Sequence, residues 1–167
     1  AESVVTGAGH VGGHSARFDE ASGDDRGQSA WVYNGSATVR VGLVDADHTR
    51  DDGYRFSEFL ALNPAGQAAG ESTRYNGTPD DLGRSVWLYT GSTTLNVGLA
   101  DSEHTRDTDN ARNSELRALN AAGRVAGVAD RYEAATGNDL GRTAWLYDGS
   151  TTVNVGLIDA EHTRSGD

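Results

Sequence analysis

The sequence repeats itself three times, and this repetition restricts the fold more than any other feature. Trp31, Trp87 and Trp145 lie 56 and 58 residues apart. The segment 87–106 (WLYTGSTTLNVGLADSEHTR) returns at 145–164 with 16 of 20 positions identical, and the first copy matches the third at 14 of 20. Self-similarity at a period of this length is typical of propellers, solenoids and related arrays. We therefore divide the chain into three repeats, at 1–56, 57–113 and 114–167.

Each repeat is predicted to contain four short β-strands. In the last of them Val153, Val155 and Leu157 alternate with polar or small residues, and strict period two indicates a half-buried strand. The preceding strand has Trp and Tyr two residues apart and ends at Asn-Gly, Thr-Gly or Asp-Gly. Asn-Gly and Asp-Gly favour type I′ hairpin turns. Since no segment has a sustained helical period, an all-β fold of about twelve strands is predicted.

The repeats resemble repeats of secreted bacterial proteins. The pattern ALN-x-AG-x-x-x-G followed by AWLYDG resembles HAF-type repeats, and the longer WLYDG…GL…EHTR pattern is similar to tandem repeats of propeller-like character in large extracellular bacterial proteins. The first copy differs most, with TGAG at 6–9 where the others have Asn-x-Ala-Gly. The resemblance implies an extracellular or cell-surface location, which fits a processed chain that starts at Ala1 and contains no methionine. It implies no catalytic activity.

Three arrangements of the repeats stay open at this point. The resemblance favours propeller blades, although propellers usually close with about four to eight blades. Three four-stranded repeats also describe a β-trefoil, and an open linear array, in which each repeat contacts its neighbours, is the third alternative. As blades, the first and last copies would leave two apolar faces uncovered. We therefore expect self-association, either as a closed ring of two chains or as an open fibre.

The HTR triplet is the main candidate for chemistry. Its residues are His48 and Arg50, His104 and Arg106, and His162 and Arg164. Histidine can act as a base and arginine can bind an anion, so these six are candidate binding residues. An active site needs one asymmetric arrangement, however, whereas a polar residue that recurs once per repeat more often makes a structural hydrogen bond. We predict no catalytic residues, because no GxSxG, P-loop or HExxH motif is present and there is no cysteine.

Acidic residues around each HTR triplet are candidate calcium ligands. They are Asp45, Asp47, Asp101, Glu103, Asp107, Asp159 and Glu161. Calcium takes about six to eight oxygen ligands, which clustered carboxylates on loops can supply. Their spacing does not match an EF-hand, and the alternative is a solvated acidic surface. No other cofactor is predicted.

Two further sets of residues recur with the repeat. The three tryptophans are predicted core residues, because aromatic side chains bury large apolar areas, and a sugar-stacking platform is the alternative. An arginine precedes the aromatic residue at 18, 75 and 132, and a glutamate recurs at the same period. We therefore predict that Arg17, Arg74 and Arg131 form ion pairs between strands or between blades, with Glu2, Glu58 and Glu115 as the natural acidic partners.

Charge excludes several classes of partner. The chain has 14 basic residues, all of them arginine, against 25 acidic residues, and its net charge is −11. This charge disfavours nucleic acids and anionic membranes, and no apolar run approaches the ~20 residues that cross a bilayer. We expect a non-enzymatic structural or assembly module, or a binding surface, whose main partner is another copy of itself. The alternative is a carbohydrate-binding propeller or trefoil with one shallow site per repeat.

Overall fold

The computed structural model describes residues 4–164, and these are almost entirely strands and turns. The strands are β1 (Val4–Val5), β2 (Val11–Phe18), β3 (Asp25–Tyr33), β4 (Thr38–Val41), β5 (Arg55–Leu62), β6 (Ala68–Thr73), β7 (Arg84–Tyr89), β8 (Thr94–Asn96), β9 (Ser114–Leu119), β10 (Val125–Tyr132), β11 (Asp139–Tyr147) and β12 (Thr152–Asn154). The helical segments of this range are two three-residue 3-10 turns, Ala46–His48 and Ser102–His104. In the same range no helix has the length and apolar character needed to cross a membrane. The prediction of an all-β chain is confirmed.

Consecutive strands pair antiparallel and form three four-stranded meanders. Meander 1 consists of β1–β4, meander 2 of β5–β8 and meander 3 of β9–β12. A short parallel pairing of Gly27 with Arg55 and of Gln28 with Phe56 joins meanders 1 and 2 into one eight-stranded sheet. Meander 3 is a separate four-stranded sheet, and within residues 4–164 none of its strands pairs with meander 1.

Each meander has two chemically different faces, because side chains alternate along a strand. The aromatic face carries the recurring Trp and Tyr: Trp31 and Tyr33, Trp87 and Tyr89, Trp145 and Tyr147. The aliphatic face carries Ala30, Val32, Val39, Val41 and Leu43 in meander 1, Val86, Leu88, Leu95, Val97 and Leu99 in meander 2, and Ala144, Leu146, Val153, Val155 and Leu157 in meander 3.

The hydrophobic core lies between the meanders. At interface 1–2 the aliphatic face of meander 1 packs on the aromatic face of meander 2, where Phe59, Trp87 and Tyr89 are buried. At interface 2–3 the aliphatic face of meander 2 packs in the same way on Trp145 and Tyr147. The two interfaces therefore have one direction: the aliphatic face of each meander meets the aromatic face of the next.

A glycine opposite each tryptophan makes room for the indole ring. Gly70 faces Trp87 in the register of β6 and β7. A Cβ at Gly70 would lie 1.9 Å from the carbonyl oxygen of Glu58 and 2.5 Å from Cζ2 of Trp87. Gly13 and Gly127 occupy the same position in the other repeats. This contact explains the last glycine of the AG-x-x-x-G pattern.

The hairpin turns between the third and fourth strands are not the type I′ turns that the Asn-Gly pattern favours. The backbone N–H of Asn34 donates to the carbonyl of Ala37, which closes a four-residue loop in which Gly35 has a φ of 95°. Asn34 Oδ1 accepts from the backbone N–H groups of Ser36 and Ala37. The Tyr33 hydroxyl donates to the Gly35 carbonyl at 2.8 Å. Side-chain hydrogen bonds thus stabilise the turn, and Gly35 has a positive φ where a type I′ turn needs two such residues in succession.

Candidate functional site

Each HTR triplet ends a tight turn that an aspartate caps. The Asp45 carboxylate accepts from the backbone N–H of His48 at 3.2 Å, and His48 Nδ1 lies 2.5 Å from Asp45 Oδ1. The same imidazole–carboxylate contact recurs in the other repeats, between Asp101 and His104 (2.6 Å) and between Asp159 and His162 (2.5 Å). The aspartate therefore satisfies a backbone donor at the start of the turn and fixes the orientation of the imidazole ring.

The environment of the three histidines differs although their local contacts are the same. His48 and His104 are each 2% exposed, whereas the His162 side chain is 45% exposed, because within residues 4–164 no meander packs on that side of meander 3. Burial lowers the pKa of His48, and the nearby Asp45 carboxylate only partly opposes this effect. The Nε2 atoms of His48 and His104 are buried without a hydrogen-bond partner. These two imidazoles are closed off from any substrate.

An arginine of each following meander reaches back to the turn. Arg131 Nε and Nη2 donate to Glu103 Oε1 at 2.9 and 2.6 Å. Arg74 takes the same position at interface 1–2, where its Nη2 lies 3.8 Å from Asp47 Oδ2 and its Nη1 donates to the Asn110 carbonyl at 2.7 Å. Both arginines are buried. Because Asp47 and Glu103 each directly precede the histidine, one turn contributes both the imidazole and the acidic partner of the next meander.

The predicted pairing of these arginines with the recurring glutamates is wrong. Glu115 accepts from Arg117 and Arg142 instead. In the strand register Glu115 lies opposite Val128, and Arg131 is three residues further along β10, so its side chain points to the other face. In the second repeat Arg74 pairs with Asp47 rather than with Glu58. Glu2 lies outside the described residues.

Five of the seven candidate calcium ligands are engaged within the protein. Asp45, Asp101 and Asp159 cap the three turns, and Asp47 and Glu103 pair with arginines. Asp107 and Glu161 are exposed. Within residues 4–164 no three histidine or carboxylate side chains are arranged to hold a metal ion. The turns thus use their carboxylates for capping and ion pairing.

The arginines of the HTR triplets are at least partly exposed, and they pair with aspartates other than those that cap the turns. Each pairs with an aspartate: Arg50 with Asp52, Arg106 with Asp109 and Arg164 with Asp139 on β11. The Arg106 guanidinium also lies 5.5 Å from the Tyr132 ring centroid, a cation–π contact across interface 2–3. An open cleft of about 590 Å³ adjoins this contact, and it is lined by Arg106, Asp130, Tyr132, Asp139, Arg142 and Arg164.

The aliphatic face of meander 3 has no meander packed on it. Val155 and Leu157 are 56% and 65% exposed, whereas the corresponding Val97 and Leu99 of meander 2 are buried at interface 2–3. The face is therefore an apolar patch on the surface of the described chain. Its side chains have the same pattern as those that form the core elsewhere.

The aromatic face of meander 1 is the second uncovered face. Trp87 and Trp145 are completely buried, as predicted, but Trp31 is only partly buried. Its indole N–H donates to Ser15 Oγ at 2.9 Å, whereas the indole nitrogens of the other two are buried without a partner. The prediction of a buried tryptophan is thus confirmed fully for the second and third repeats, whereas Trp31 keeps an intermediate exposure because within residues 4–164 no meander packs on its face.

No family model, curated protein or solved structure matches this chain. The resemblance to HAF-type repeats therefore stays a prediction from the sequence.

An ion pair between repeats is confirmed for Arg74 and Arg131, but their acidic partners were not predicted, although a signal for them was present. The acidic residue before each histidine and the arginine before each aromatic residue both recur with the repeat. Asp47 precedes Arg74 by 27 residues, and Glu103 precedes Arg131 by 28. This nearly constant separation runs from one repeat to the next, so the spacing could have predicted a contact between neighbouring repeats.

Proposed function

We propose that the chain is a non-enzymatic structural module of an extracellular or cell-surface assembly, built by stacking meanders of this kind. The observation that supports this most is the repetition of one interface within the chain. The aliphatic face of a meander covers the aromatic face of the next at interfaces 1–2 and 2–3. The outer face of meander 3 exposes Val153, Val155 and Leu157, and Trp31 on the outer face of meander 1 is only partly buried. A contiguous apolar patch usually marks an interaction surface.

Two features support a role without catalysis. The histidines recur once per repeat, and each is bound to the aspartate that caps its own turn. His48 and His104 are also buried. A reaction needs a nucleophile or base that a substrate can reach. Only His162 is exposed among the three, and its exposure follows from its place in the last repeat.

Sedimentation velocity at micromolar concentrations tests the proposal. We expect species larger than one chain, whose share of the material increases with protein concentration. The double variant Val155→Lys/Leu157→Lys should sediment as a single chain, because it introduces two charges into the aliphatic face of meander 3. Leu60→Lys is a control for the introduction of a lysine at an exposed leucine, since Leu60 is exposed on β5 and belongs to neither uncovered face. A single-chain mass for the unmodified protein would refute the proposal.

The cleft at interface 2–3 favours carbohydrate binding as a second candidate function. It combines the Tyr132 ring with carboxylates and guanidinium groups of Asp130, Asp139 and Arg142. An aromatic surface beside planar polar groups suits a sugar, whose faces are apolar and whose edges carry hydroxyl groups. Binding to a glycan array that is lost in Tyr132→Ala would support this function. No binding to any glycan on the array would refute it.

A further inference from the structure

Arg17 in the first repeat forms no ion pair with an acidic residue of the described chain, unlike the equivalent arginines of the other repeats. Arg17 is equivalent to Arg74 and Arg131, which bind the turn of the preceding meander. Its Nη1 donates to the backbone carbonyls of Arg26 (2.7 Å) and Gly53 (3.4 Å). No carboxylate within residues 4–164 forms an ion pair with it. Burial, together with the nearby positive charges of Arg40 and Arg26, lowers the pKa of Arg17.

The third repeat has the complementary acidic residue. Glu161 directly precedes His162, as Glu103 precedes His104. Glu103 binds Arg131, whereas Glu161 is exposed and pairs with no cation in the described part of the chain. Glu161 at one end of the described chain and Arg17 at the other are thus the equivalents of Glu103 and Arg131, which form the ion pair at interface 2–3.

The apolar contacts are also divided between the two ends. Trp31 is only partly buried on the open face of meander 1, and Leu157 is exposed on the open face of meander 3. Phe18 is 66% exposed, whereas its equivalent Tyr75 is buried and donates its backbone N–H to the carbonyl of Asp47 in the preceding turn. Each open face thus carries side chains whose equivalents are buried at interface 1–2 or 2–3.

Charge makes the two ends complementary rather than alike. Arg40 lies opposite Trp31 in the strand register, where the other repeats have Asn96 and Asn154, so the open face of meander 1 is basic. The turn next to the open face of meander 3 contributes Asp159 and Glu161. Contact between two identical ends would oppose like charges, whereas contact between different ends pairs opposite charges.

We infer that the partner of these faces is a second copy of this chain, joined head to tail. The aliphatic face of meander 3 in one copy packs on the aromatic face of meander 1 in the next. Glu161 of the first copy binds Arg17 of the next, as Glu103 binds Arg131 within the chain. The inference rests on the proposed assembly function and adds its direction and its ion pair. The contact is heterologous, so it leads to a ring or to a fibre.

Charge reversal at the two residues tests the direction of the contact. We call the proposed contact between residue 161 of one copy and residue 17 of the next a junction. In Glu161→Arg each junction would bring two arginines together, and in Arg17→Glu each junction would bring two glutamates together. We expect each variant alone to associate more weakly than the unmodified protein, by about tenfold or more in dissociation constant. An equimolar mixture of the two variants should recover association, because each junction then pairs one arginine with one glutamate. The chain with both reversals should recover it as well.

Two control variants change charge equally but lie elsewhere. Glu20→Arg, in the loop after β2, and Arg117→Glu, on β9, alter exposed residues outside the two open faces. Their mixture should associate as the unmodified protein does. Circular dichroism and thermal melts must show that every variant is folded. Glu161 is exposed, so Glu161→Arg tests the contact even where Arg17→Glu fails to fold.

The failures of the two proposals are distinguishable. If the unmodified protein associates but folded Glu161→Arg associates with the same dissociation constant, the head-to-tail ion pair is refuted and the assembly function stands. If both variants are weakened and the mixture does not recover, the two charges do not meet, and the inference is also refuted. If the unmodified protein is a single chain at all concentrations, the assembly function itself fails.

Discussion

At the scale of single residues, buried polar side chains hold neighbouring repeats together. The turn before each histidine supplies three functions at once: a cap, an oriented imidazole and an acidic partner for the next meander. Truncation of Glu103 would leave the Arg131 charge buried and unpaired, which is costly in a region of low dielectric constant. The stability of the chain therefore depends on residues that, on an open surface, would contribute little.

We predict that stability decreases as the pH falls below about 6.5, the ordinary pKa of histidine. The pKa of His48 is lowered by burial, so the unfolded chain binds the proton first and acid favours unfolding. Asp45, Asp47 and Arg74 are the charged groups that face this imidazole. Urea unfolding at pH 7.5 and 5.5 measures the effect, and His48→Asn should reduce the difference between the two pH values. An equal pH dependence in His48→Asn would show that other groups cause it.

The three tryptophans should contribute unequally to stability. Trp87→Ala is expected to lower the free energy of unfolding by ~3–5 kcal/mol, the usual range for a buried aromatic side chain. Trp31→Ala should cost less, because Trp31 is only partly buried on an open face. Denaturant titrations of the two variants, at concentrations where the unmodified chain is a monomer, make the comparison. Equal losses would mean that Trp31 is covered in solution.

At the scale of secondary-structure elements, the indole ring of each meander packs closely against the neighbouring strand of the same meander. The glycine opposite the indole allows the ring to lie flat against β2, β6 or β10, and this leaves space for the preceding meander. The glycine is thus required by packing, and its backbone does not adopt a positive φ at 13, 70 or 127.

Alanine in place of these glycines should destabilise the chain by different amounts. A Cβ at Gly70 would collide with the Glu58 backbone and with Trp87, and overpacking of this kind costs about 1–3 kcal/mol. At Gly13 the three nearest atoms to the same Cβ all belong to the Trp31 ring, which borders an open face and can shift. Thermal melts should therefore show a larger decrease in Tm for Gly70→Ala than for Gly13→Ala. The opposite order would argue against the open face.

At the scale of the whole molecule, residues 4–164 present two uncovered faces that differ in chemistry. Stacking in one direction repeats a contact that the protein already makes twice. A further copy can therefore pack its aromatic face on the aliphatic face of meander 3 in the same way. The net charge of −11 per chain acts against this contact, since copies of one acidic protein repel one another at long range.

We predict that salt strengthens the association of the unmodified protein. At physiological ionic strength the Debye length is about 8 Å, so the long-range repulsion between acidic chains is screened, while a partly buried ion pair is affected less. Sedimentation at low and at physiological ionic strength should show larger species in the second condition. Weaker association at the higher ionic strength would indicate that attractive surface charges, rather than apolar faces, hold the copies together.

Much of the architecture could be predicted from the chain alone, because the signals were local. Period-two alternation around Val153 and Val155 and the recurrence of Trp and Tyr depend on residues a few positions apart, and they predicted strands, repeats and an all-β fold. The turn after Trp-x-Tyr was placed correctly, but its geometry was not, because the Asn34 side chain bonds to the backbone and so changes the turn type.

The partners within the contacts between repeats were assigned wrongly, because they depend on which face of each strand meets which neighbour. Arg131 was assigned to Glu115 on the basis of period, yet the register directs the two side chains to opposite faces and brings Arg131 to Glu103. Likewise, three nearly identical tryptophan segments predict three equal environments. Packing makes Trp31 different, because burial depends on a neighbour, and the first repeat of the described chain has none on that side.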